Sequence, residues 1–125
     1  MNRAHYHYSG ILKVISPDSQ IRLRYCLTIL PGSQWTLKFS ATLSPSLVIH
    51  KTSQYLYATR DHEIISQEDI EQIMASYFDS LTIDDLVSLM QFQTIKNSEW
   101  SVQSFDKYIA LQSDRTALKI KIYPK

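Results

Sequence analysis

Apolar and polar residues alternate through most of the first sixty positions. Tyr6, Tyr8, Leu12 and Val14 share one parity, and the turn-forming run Ser16-Pro17-Asp18-Ser19 follows. Ile21, Leu23, Tyr25, Leu27 and Ile29 then alternate with Arg22, Arg24, Cys26 and Thr28. After Pro31-Gly32-Ser33, Trp35, Leu37, Phe39 and Ala41 alternate with Thr36, Lys38, Ser40 and Thr42. A period of two, punctuated by turn residues, predicts an antiparallel meander with one buried and one wet face. Pro45 interrupts the pattern, and a less regular pair of strands covers about Leu47 to Thr59.

The period then changes. Ser66-Gln67-Glu68-Asp69 reads as a helix N-cap with acids in the first turn, where they favour the positive helix end. Ile70, Ile73, Met74 and Tyr77 follow at helical spacing. A second start, Thr82-Ile83-Asp84-Asp85, leads into Leu86, Leu89 and Met90. Two short helices are predicted, about 67–78 and 83–93, joined through Asp79-Ser80-Leu81. Alternation returns with Trp100 and Val102, becomes ambiguous but extended over Phe105–Leu111, and is clear from Leu118 to Ile122. The expected fold is α+β: a mostly antiparallel sheet, built from an N-terminal meander plus C-terminal strands, with a two-helix insertion packed on one face. Residues 1–125 are expected to form one such domain, and 44% hydrophobic residues are enough for a core.

Charge is distributed unevenly. Residues 1–60 carry seven Lys and Arg against one acid, residues 61–92 carry eight acids and no Lys or Arg, and residues 93–125 carry six Lys and Arg against three acids. Strand parity turns Lys13, Arg22, Arg24, Lys38, Lys119 and Lys121 away from the apolar positions. Such a face can meet phosphates, anionic membrane or an acidic protein. The helices carry the complement, with Glu68, Asp69, Glu71, Asp84 and Asp85 on their outer sides. Tyr6 and Tyr8 fall on the apolar parity, so they read as core residues.

Little else points to chemistry. Two glycines leave no Gly-rich phosphate loop. The one cysteine, Cys26, permits no intrachain disulfide. His5 and His7 share a strand face, but zinc requires further ligands. His62, between Asp61 and Glu63, is a general-base candidate whose neighbours diverge in an extended segment. Cys26 as a nucleophile would need a base. No complete catalytic set is assembled, so no enzyme, metal or cofactor is expected. No apolar run is long enough to span a membrane, and Met1–Tyr6 lacks an apolar signal core. The expected setting is cytoplasmic, or the host-cell interior for a viral or phage product.

The reading is a non-enzymatic binding protein acting through protein–protein contact, of an inhibitor, immunity or viral accessory type. Its rivals are a self-assembling matrix-like protein resting on nucleic acid or anionic membrane, and a small enzyme using His62 or Cys26.

Overall fold

The computed structural model describes residues 6–42 and 44–125. Strands β1 (Tyr6–Ile15), β2 (Gln20–Leu30), β3 (Gln34–Ser40), β4 (Leu47–Lys51), β5 (Leu56–Arg60) and β6 (Glu63–Ile65) come first. Helices α1 (Gln67–Phe78) and α2 (Ile83–Met90) follow, then β7 (Trp100–Ser104), β8 (Ile109–Ser113) and β9 (Lys119–Pro124). All nine strands join one antiparallel sheet in the order β6-β5-β4-β3-β2-β1-β9-β8-β7. The chain therefore meanders from the centre to one edge, passes through both helices to the opposite edge, and returns to lie beside β1. The α+β class follows from this separation of strands and helices.

The turns sit where the sequence places them. The Ser16 N–H donates to the Ser19 carbonyl at 2.9 Å, closing β1 onto β2. Gly32 and Ser33 close β2 onto β3 with φ of 77° and 60°. Ser66 caps α1, its hydroxyl accepting the Asp69 N–H at 3.3 Å. Thr82 and Asp85 form a reciprocal capping box on α2, with bonds of 3.1 and 3.2 Å.

In β1, β2, β3 and β9 every buried residue has the parity that alternation assigns. Leu12, Val14, Tyr25, Leu27, Leu37, Phe39, Ile49, Ala58, Leu111, Ile120 and Ile122 join α1 residues Ile70, Met74 and Phe78 and α2 residues Leu86, Leu89 and Met90 in one cluster. Tyr8 packs against this cluster, whereas Tyr6, of the same parity, is exposed at the strand end. The loop into β7 is tied to the helix junction. Asn97 donates to the Ser80 carbonyl and to Asp85, and the Trp100 indole donates to the Ser80 hydroxyl at 3.1 Å. Beside it, Glu99 pairs with Arg115 at 3.2 Å. The Ser80 hydroxyl and then the Arg115 guanidinium hold the Glu99 carboxyl below its ordinary range.

Three expectations are corrected. The second helix stops at Met90 and not near residue 93, because Phe92 turns to φ 61°. Residues 61–63 do not run extended into the first helix. Asp61 and His62, at φ 50° and 69°, reverse the chain into a sixth strand that alternation did not reveal. Phe105–Leu111 is a turn followed by β8, with the Phe105 N–H bonded to the Tyr108 carbonyl at 2.8 Å.

Candidate binding surface

The strand positions opposite the core parity make up one broad sheet face. Lys13, Arg22, Arg24, Lys38, Lys119 and Lys121 all belong to it. Arg22 stands opposite Lys13 across β1 and β2, and Lys13 stands opposite Lys121 across β1 and β9. Three cations thus fill one register row. Lys119 lies two residues along β9 and Arg24 two residues along β2. Lys38 pairs with Cys26 one step further on. With strands about 4.8 Å apart and alternate residues about 6.8 Å apart, the six Cα positions fall within roughly 25 Å of one another. Arg22, Arg24, Lys38 and Lys119 are exposed, and Lys13 and Lys121 are half-buried.

None of the six forms an ion pair among the described residues. Glu63, on the short edge strand, is the only acid in any described strand. Like charges placed directly opposite on a sheet repel. Two of the three in the central row are partly relieved by aromatic rings. The Lys13 ammonium lies 5.1 Å from the Tyr123 ring centre, and the Lys121 ammonium 5.7 Å from that of Tyr108. Tyr123 stacks on Tyr108 at 5.2 Å, and Tyr108 on Phe105 at 4.7 Å. A row of three rings therefore borders the cations. Alternation missed it because Phe105 and Tyr108 lie in the ambiguous stretch. The usable signal was Tyr123, which shares its parity with Lys119 and Lys121.

The remaining candidates are scattered. Cys26 is exposed on the same face, between Ser9 and Lys38 in register. His62 is exposed in the β5–β6 turn, three strands away. His7 contacts the Thr28 hydroxyl at 3.2 Å, and His5 lies outside the described residues. Among the described residues no group of three His, Cys, Asp or Glu side chains could hold a metal. None of the described helices is long and apolar enough to cross a membrane.

The acids divide by role. Glu68, Asp69 and Glu71 are exposed on α1, where Glu71 accepts a bond from Gln67 at 3.1 Å. Asp84 is exposed on α2. Asp85 is half-buried and engaged by Thr82 and Asn97, so its carboxylate serves the helix start and the loop. No hydrogen bond joins the α1 acids to those of α2 among the described residues. No known family model matches the chain, and no curated protein matches its sequence.

Proposed function

We propose that the protein is a non-enzymatic binding module that holds an acidic protein partner against its cationic sheet face. In this reading the two helices cover the apolar face of the sheet and leave the other face open. One observation carries it: Arg22, Lys13 and Lys121 stand in one register row, flanked by Lys119, Arg24 and Lys38, without a carboxylate partner among the described residues. Such a row works against folding stability and gains a purpose when an acidic surface neutralises it. A compact acidic partner suits it better than a long polyanion. The formal net charge is only +1, and exposed Glu68, Asp69, Glu71 and Asp84 would repel phosphates that ran past the patch. Those acids provide a second contact surface of opposite sign.

The Phe105–Tyr108–Tyr123 stack favours a second reading, single-stranded nucleic acid, because bases stack on exposed rings beside cations. The two readings separate by titration at low salt with an acidic helical peptide and with a single-stranded RNA dodecamer. The protein-partner reading expects the peptide to bind and the double variant R22E/K121E to weaken it by at least about tenfold, the equivalent of losing one charge-assisted contact. Tighter binding of the RNA, weakened by Phe105→Ala, would transfer the function to nucleic acid. Equal binding by wild type and R22E/K121E would remove the face from either reading.

A further inference from the structure

Three exposed apolar side chains surround one cleft at the outer end of β7. Phe92, Val102 and Phe105 are 64%, 39% and 48% exposed. They share a cavity of about 710 Å³ with Leu89, Ile95 and Ile109. That volume is ample for large side chains or a small ligand.

Phe92 occupies this rim at an energetic cost. After α2, the Gln93 N–H bonds to the Ser88 carbonyl at 2.9 Å and the Phe92 N–H to the Leu89 carbonyl at 3.0 Å. This pair of bonds is the Schellman pattern, and it puts Phe92 at the left-handed position, φ 61°. Glycine takes that position with least strain, whereas a bulky residue there costs on the order of 1 kcal/mol. A strained, solvent-facing aromatic beside a cavity is a functional signal rather than a packing one. Its ring meets that of Tyr8 edge-on at 6.3 Å.

The strand beside the cleft is an edge. Among the described residues β7 pairs only with β8. The Asp114 N–H bonds to the Glu99 carbonyl and the Phe105 N–H to the Tyr108 carbonyl. Bonding alternates along an antiparallel pair, so the odd residues of β7 face β8. Val102 and Ser104 therefore point their backbone N–H and C=O groups outward, and their side chains line the cleft. Edge strands are normally guarded by charge or proline. The sequence of β7, Trp100-Ser101-Val102-Gln103-Ser104, has neither.

We propose that β7 is a docking edge for an extended segment of another protein, which adds as a further strand and inserts large apolar side chains, two residues apart, into the cleft. The backbone groups of Val102 and Ser104 specify a strand, and the cavity specifies the side chains. A second copy of this chain is a poor occupant. Its own β7 would offer only Val102 and Ser104 on the cleft side, too little to fill 710 Å³, because Trp100, of the same parity, is buried in its own core and bonded to Ser80. Phe105 and Tyr108 line the cleft and also border the cationic row, so it is the strand edge, and not these rings, that distinguishes this site from the face proposed above.

The test is selection of binders from a displayed library of random decapeptides, followed by titration of synthetic versions. The enriched peptides are expected to carry Phe, Leu, Ile or Trp at alternate positions. N-methylation of the amides that face β7 should weaken them about tenfold, the equivalent of one or two net hydrogen bonds. Val102→Pro removes an outward N–H at an edge position that tolerates proline, and should weaken binding similarly with the melting temperature retained. Val102→Lys, which keeps the backbone and charges the cleft, is the second variant, and R24E/K38E, on β2 and β3 away from the cleft, should bind the peptides as wild type does. The proposal is overturned if no alternating apolar sequence is enriched, or if binding ignores N-methylation. A homodimer that Val102→Lys dissociates would also overturn it, in favour of a second copy.

Discussion

Gly10 and Tyr25 show how tightly single residues constrain the middle of the sheet. A Cβ on Gly10 would fall on the backbone carbonyl oxygen of Tyr123 and lie 2.8 Å from the Tyr25 hydroxyl. Gly10→Ala must therefore move backbone, and should destabilise by about 2–3 kcal/mol in chemical denaturation. The Tyr25 hydroxyl that Gly10 makes room for is buried without a hydrogen-bond partner among the described residues. Burial pushes its pKa from an ordinary 10.0 up to about 12. Ionisation is thus easier in the unfolded chain, which releases its proton first as pH rises. Folding stability should fall between pH 10 and 12 and be unaffected by this group below that window. Tyr25→Phe removes an unsatisfied buried group. Its stability should match or exceed that of wild type near neutrality, and its denaturation midpoint should decline less steeply above pH 10. An equally steep decline would assign the alkaline loss to other groups.

At the scale of elements, regular strands were legible and irregular ones were not, for a physical reason. Where one sheet face is buried, side chains alternate strictly, and β1, β2, β3 and β9 carry that alternation in plain form. The N-caps Ser66 and Thr82 were legible because their hydroxyls satisfy otherwise unpaired N–H groups. β6 was not legible. It has three residues, and its turn uses Asp61-His62, both in left-handed conformation, where Asn-Gly would announce the hairpin. His62→Gly trades about 1 kcal/mol of left-handed strain against the freer unfolded chain of glycine, so stability should hold or rise by a few tenths of a kcal/mol, read as a shift in denaturation midpoint. A loss of stability would show that the His62 side chain contributes to the fold. The end of α2 escaped notice for the same reason, since Phe92 stands where glycine is the usual stop signal. Of the candidate surface, the six cations were legible from parity alone. The bordering ring row was hidden, because stacking of Phe105, Tyr108 and Tyr123 depends on a turn and on cross-strand register.

Across the whole molecule, charge follows architecture. The strands carry Lys13, Arg22, Arg24, Lys38, Lys51, Arg60, Lys119 and Lys121 against the single acid Glu63, and the helices carry acids without Lys or Arg. Two surfaces of opposite sign on a nearly neutral chain suit a protein that meets partners by charge, and they also allow one copy to meet the next head-to-tail. Sedimentation separates these cases, since salt-labile oligomers would mean that the acids of one molecule occupy the sheet of another. The central claim is that the row of cations is itself the contact surface. Its most direct test is backbone amide chemical-shift mapping during titration with an acidic helical peptide. The account predicts shifts concentrated at Lys13, Arg22, Arg24, Lys38, Lys119 and Lys121. Shifts confined to α1, α2 or the β7 edge, with these six unmoved, would contradict it.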